Sequence, residues 1–186
     1  MIETNEALKE QLDIVNKDLK VIIDRLNVSV RKGFFEAVQY FYEQLLLEDL
    51  SIRDYQQWDI ETPDLFSAAI YSGQLEIVKY FIDKGADPHV DKSFYLRTAV
   101  EMNDFEIVKY LVEEHQVEIN NFDPNFMFNA PLRLAVDMSN LELVKYLVEH
   151  GANDKNKAAA LEQAIKEKKL EIIDYLRNHC KPRTEA

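Results

Sequence analysis

Five residues recur along this chain. EIVKY stands at Glu76–Tyr80 and again, unchanged, at Glu106–Tyr110; ELVKY stands at Glu142–Tyr146. Two looser copies, EAVQY at Glu36–Tyr40 and EIIDY at Glu171–Tyr175, also open on Glu and close on Tyr. The five tyrosines are 40, 30, 36 and 29 residues apart. Periods in that range mean stacked supersecondary units, each too small to bury its own apolar face and each completed by its neighbours.

Aligning the copies brings more of the sequence into register. Nine residues before each Leu or Phe that opens the second segment (Phe35, Leu75, Phe105, Leu141, Leu170) stands another apolar residue: Leu26, Phe66, Leu96, Leu132, Leu161. Three residues after those come Ser29, Ala69, Ala99, Ala135 and Ala164, small enough to let two helices approach closely. LRLAVDMSN (Leu132–Asn140) and LELVKYLVEH (Leu141–His150) both carry helical spacing, the second with Leu141, Val144, Leu147 and Val148 on one face. Each unit therefore reads as helix, tight turn, helix. Gly33 and Gly73 fall at the turn between the two helices, with Asn103 in the same place in another copy. Gly85 and Gly151 fall just past the second helix. Both places commonly need a left-handed backbone. All five prolines lie outside the expected helix interiors, and Pro131 stands where a helix begins.

This register gives EIVKY a structural meaning. Its Ile or Leu and its Val turn inward, and Glu and Lys, three apart outside, form a weak pair of about 0.2–0.5 kcal/mol. The tyrosine is expected to stack on the next unit with its hydroxyl in water. Tyr40, Tyr80, Tyr110, Tyr146 and Tyr175 would then form a ladder along the second helices.

APLRLAVDMSNLELVKYLVEHGAN (Ala130–Asn153) and LFSAAIYSGQLEIVKYFIDKGADP (Leu65–Pro88) carry the closest resemblance to a known family. They resemble the ankyrin repeat, T-P-L-H-x-A-A followed by G-H-x-x-V-V-x-x-L-L-x-x-G-A-D. Pro131, Leu132 and Ala135 match the first part; Gly73, Val78, Gly85, Ala86 and Asp87 match the second. The family's His after Pro-Leu is replaced by Asn27, Ser67, Arg97, Arg133 and Glu162, and the first and last copies are degenerate. The fold expected is all-α, an ankyrin-type helix-turn-helix repeat solenoid with an N-terminal helical cap. Residues 1–24 would form the capping helix and 25–180 the array, with repeats near 25–60, 61–92, 93–128, 129–156 and 157–180 and a tail at 181–186. Leu8, Leu12, Val15, Leu19, Ile22 and Leu26, spaced 4, 3, 4, 3, 4, would pack on the first repeat; a coiled-coil seam that dimerises the protein is the alternative. Two connections exceed the family period, one within Leu45–Glu61 and one within Asn120–Ala130. Such insertions map to loops on one face.

Charge and chemistry narrow the function. The net charge of −12 disfavours phosphate backbones and anionic membrane surfaces, so neither nucleic acid nor membrane is an expected partner. The lone cysteine, Cys180, has no internal disulfide partner, which fits a reducing compartment. No signal-peptide core and no membrane-length apolar run stands out, so a cytoplasmic location is expected. Neither a phosphate-binding glycine loop nor a catalytic motif is found, and His89, His115, His150 and His179 do not converge as metal ligands would. The expectation is a protein without catalytic residues, metal or cofactor. The resemblance implies binding of a protein partner through a concave face. Carried onto this chain, that face would expose Tyr71, Met102 and Met138, joined by Phe122, Phe126 and Phe128 from the long loop, types that enrich interface cores. Tyr55 and Trp58 stand in the other insertion. The partner would be a protein of basic character around an apolar centre, met by a monomer. Two alternatives are an effector or inhibitor made by a virus or intracellular bacterium, acting in the host cytosol, and a structural oligomer built through the N-terminal heptads.

Overall fold

Small apolar residues at helical spacing set this fold. The computed structural model describes residues 20–47, 65–89, 94–120 and 130–179, and the regular elements among them are all helical. The chain forms two compact units, Met1–Ala86 and Asp87–Ala186. The first contains α1 (residues 20–32), α2 (Phe35–Leu47), α3 (Leu65–Tyr71) and α4 (Leu75–Asp83). The second contains α5 (Phe94–Glu101), α6 (Phe105–Lys109, continued by a π-helical turn over Tyr110–Glu114), α7 (Pro131–Asp137), α8 (Leu141–Glu149), α9 (Asp154–Lys166) and α10 (Leu170–His179). Residues 1–19, most of the expected N-terminal cap, and most of both insertions lie outside the described residues.

The helices pair as the repeated register requires. Ala69, Ala99, Ala135 and Ala164 are wholly buried, as are Val78, Val108 and Val144 of the recurrent pentapeptide. Each buried valine is worth about 1.5–3 kcal/mol. The inward face of α8 differs slightly from the expected one: Leu143, Val144, Tyr146 and Leu147 are buried, whereas Leu141 and Val148 are half-buried. The outward Glu76–Lys79 pair forms at 2.9 Å.

Within each pair the turn needs one left-handed residue. Gly33, Gly73, Asn103, Ser139 and Lys168 supply it, at φ 70°, 66°, 58°, 57° and 59°. Gly33 has a second reason to be glycine, because a Cβ there would run into the Gln74 side-chain amide. Asp104 and Asn140 then cap their helices by accepting from the backbone N–H of Ile107 and Leu143, each at 3.0 Å. Asn140 also donates to Asn103 Oδ1 at 2.6 Å, which ties two successive turns together.

The π-helical turn records a one-residue insertion. In α4 and α8 the residue after the closing glycine bonds back five positions, Ala86 to Phe81 and Ala152 to Leu147. After α6 the equivalent bond spans six, from Val117 to Leu111. One extra residue in YLVEEHQV is absorbed as a π turn, so Val117 still reaches the buried place that Ala152 fills in the next pair. Gln116, at φ 55°, takes the position held by Gly151.

The tyrosine ladder runs opposite to expectation. Tyr80 packs edge-on against Phe35 at 5.7 Å, and Tyr146 against Phe105 at 5.2 Å, so these rings meet the preceding helix pair. Both are buried, whereas Tyr40 is 60% exposed. Nor do the hydroxyls simply reach water. Tyr146 donates to Glu113 at 3.3 Å and Tyr175 to Glu149 at 3.4 Å. Burial first, then the facing carboxylate, pushes both phenols above their ordinary range. The acid stands three residues after the preceding ladder tyrosine, a spacing visible in YLVE and overlooked in the sequence reading. The Tyr80 hydroxyl is buried without a hydrogen-bond partner. Tyr80→Phe is therefore expected to raise stability by about 1 kcal/mol, because an orphaned polar group goes and the ring remains. Urea unfolding checks this; a loss of stability would mean that the hydroxyl is satisfied.

Candidate functional site

In the second unit the ends of the first helices converge. α7 packs between α5 and α9, and the three helices end in Glu101–Met102–Asn103, Asp137–Met138–Ser139 and Lys166–Glu167–Lys168. Met102 and Met138 occupy the same register position, one residue before the left-handed turn residue. They are 40% and 38% exposed. The bond between Asn103 and Asn140 holds their two turns side by side. Thioethers are adaptable apolar groups, and two at neighbouring helix ends can meet an irregular partner surface.

Acidic groups flank the methionines. Glu101 and Asp137 each precede one of them and are exposed. Asp137 belongs to a polar network. Arg133 Nε donates to Gln163 Oε1 at 2.7 Å, and Gln163 Nε2 donates to Asp137 Oδ1 and, at 3.2 Å, to Glu167 Oε1. From below, Lys169 Nζ donates to the Val136 carbonyl and, at 2.6 Å, to the Asp137 carbonyl, and it pairs with Glu167 Oε2 at 2.6 Å. Desolvation, reinforced by the Glu167 carboxylate, holds the Asp137 carboxyl above the usual range; Lys169 holds that of Glu167 below it. A cation from outside would relieve the crowding of these two carboxylates.

The remaining expected site residues divide. Tyr71, 49% exposed, lies in the first unit, one register position before the methionines, and lines a cleft of about 380 Å³ with Arg31, Ala68 and Ser72. Phe122, Phe126 and Phe128 lie outside the described residues, as do Tyr55, Trp58 and Cys180. A second cleft, of about 420 Å³, was missed in the sequence. Val112, Gln116, Val117, Glu118, Ile119, Asn120 and His150 line it. Its only sequence signal is the extra residue in EEHQV against EHGA.

Two of the histidines cap helices. His150 and His179 stack on Tyr146 and Tyr175 at 3.9 and 4.1 Å. Each Nδ1 is 2.8 Å from the carbonyl of that tyrosine, and a carbonyl only accepts, so Nδ1 donates. Among the described residues, no three His, Cys, Asp or Glu side chains gather as metal ligands. Nor is any described helix long and apolar enough to cross a membrane.

Paired short helices, a left-handed residue at each turn and neighbour-dependent cores define a helix-turn-helix repeat protein. The ankyrin-repeat family model, described as ankyrin repeats (3 copies), matches residues 26–123 and 96–186. The chain belongs to the ankyrin-repeat family, whose members generally serve as protein–protein interaction modules. No curated protein matches the chain.

Proposed function

We propose that this protein binds a protein partner without catalysing a reaction, through the first-helix ends of its second unit. The exposed Met102 and Met138, side by side and flanked by Glu101 and Asp137, carry this reading. The surface suits a partner segment that presents Lys or Arg around an apolar side chain, and the net charge of −12 favours its approach. Tyr71 of the first unit, and Phe122, Phe126 and Phe128, which lie outside the described residues, are further proposed partner contacts. The five repeat boundaries proposed from the sequence place each of these residues at a turn or in an insertion.

Capture with full-length protein as bait tests the reading. A partner retained by the wild type is expected to be lost, by about tenfold or more in affinity, from Met102→Ser/Met138→Ser, since truncating a central anchor costs about 2 kcal/mol. A control altered on the outward helices, Glu106→Ser/Glu142→Ser, should keep it. Equal capture by both variants would refute the site.

A further inference from the structure

The two residues that close each first helix change sign along the chain. In the second unit they read Glu101–Met102 and Asp137–Met138, an acid followed by a methionine. At the same register positions of the first unit stand Arg31–Lys32 on α1 and Tyr71–Ser72 on α3. Arg31 and Tyr71 share one cleft. With Ala68 and Ser72 they line a space of about 380 Å³, within the range of about 300–1,000 Å³ usual for ligand sites. Ala68 is buried, so its methyl and the Tyr71 ring give the cleft an apolar side. The polar side is open for bonding. Among the described residues, no hydrogen bond or ion pair engages the Arg31 guanidinium or the Tyr71 hydroxyl. Ser72 Oγ, by contrast, already donates to the Ala68 carbonyl at 2.6 Å. The turns that bound the cleft are held together. Gln74 Nε2 donates to the Ser72 carbonyl at 2.9 Å, and the same side-chain amide lies against Gly33. Walls fixed in advance lose less entropy when a ligand enters.

We propose that this cleft binds a carboxylate side chain from an acidic segment of a protein partner, with Arg31 as its anchor. The inference deepens the reading of the protein as a binding module, and it uses no residue of the second unit. A guanidinium holds a carboxylate through two parallel N–H···O bonds, and the Tyr71 hydroxyl supplies a further donor. The methylenes of a glutamate then lie along the Tyr71 ring and the Ala68 methyl. Local charge favours the same occupant. Residues 20–32 carry Lys20, Arg25, Arg31 and Lys32 against Asp24 alone, whereas the whole chain has a net charge of −12. An acidic segment is therefore attracted to α1 and repelled by most of the remaining surface, which fixes where it docks. A phosphate dianion suits the cleft less well, because it would sit at the C-terminal end of α1, where the helix dipole is negative.

Titration of the full chain with the peptide acetyl-Glu-Glu-Glu-amide tests the proposal. Acetyl-Gln-Gln-Gln-amide and inorganic phosphate are titrated in parallel, and nitrogen–proton correlation spectra that include the arginine Nε–H groups are the readout. The acidic peptide is expected to move the Arg31 Nε–H signal and the Tyr71 and Ser72 amides saturably, and the glutamine peptide is expected to leave them in place. Arg31→Gln changes an exposed side chain, so the rest of the spectrum should persist while affinity falls about tenfold or more. Met102→Ser/Met138→Ser should bind the peptide as the wild type does, which separates failure of this site from failure of the methionine site. No saturable movement at millimolar peptide, or undiminished binding by Arg31→Gln, would overturn the proposal. Phosphate acting on the same signals at equal or lower concentration would overturn it in favour of a general anion site.

Discussion

Asn120→Ala will lower the unfolding free energy by about 3 kcal/mol. This residue stands in the turn at residues 119–120, after the π-helical turn, yet it holds the entry to the last helix pair. Its Oδ1 accepts from the Asn153 backbone N–H at 3.0 Å and from Asn156 Nδ2 at 2.9 Å, and its Nδ2 donates to the Gly151 carbonyl at 2.7 Å. Asn156 is only 4% exposed. With Asn120 truncated, a buried amide loses its acceptor, which costs about 1–3 kcal/mol, and two further bonds worth about 1 kcal/mol each disappear. Urea unfolding should show a lower midpoint at unchanged slope. Asn120→Asp keeps the acceptor and should lose much less. A change below 1 kcal/mol in Asn120→Ala would mean that water replaces the side chain.

Removal of residues 154–186 is expected to have the larger effect, leaving a protein that aggregates or melts without cooperativity. α9 packs on α7 and α10 packs on α8 and α9. Their loss uncovers the wholly buried Ala135, Leu143 and Leu147. Those side chains cannot find another place, since α7 and α8 are short helices whose other faces are already in use or in water. A repeat array is stabilised chiefly by its neighbour interfaces, so losing one interface costs several kcal/mol out of a total of about 5–15. Size-exclusion chromatography and a thermal melt decide the matter. A truncated protein that stays monomeric and melts as before would make α9 and α10 an appendage rather than part of the cooperative unit.

Much of this architecture is legible in the sequence because it rests on local rules. The recurrent Leu and Phe, the small residue three positions later and the buried Val follow from helical spacing alone; the structure buries Leu26, Phe66, Leu96 and Leu132 and the small residues after them, and leaves Leu161 half-buried. Left-handed turns at Gly33, Gly73 and Asn103 were equally legible, because few other residue types adopt that backbone without strain. Ser139 and Lys168 adopt it too and carry no such signal; there the packed helices impose the conformation on ordinary residues. Of the candidate site, the exposure of Tyr71, Met102 and Met138 was readable from register. The polar network of Arg133, Gln163, Asp137, Glu167 and Lys169 was not, because its members lie up to 36 residues apart and meet only when α9 packs on α7.

By itself, then, the sequence determined the class of fold, the helix-turn-helix unit and the family, since these depend on residue type and on spacing within one unit. Only the tertiary structure decided which way each unit faces its neighbour. The pentapeptide shows that Tyr80 and Tyr146 must pack somewhere, but the choice between the preceding and the following pair depends on the rotation of one pair against the next. That rotation is set by the summed fit of many side chains, and no single residue encodes it. The same dependence on neighbours explains why the inserted residue in α6 becomes a π turn rather than a shifted loop. Val117 must still reach its buried site, and the helix yields because the packing does not.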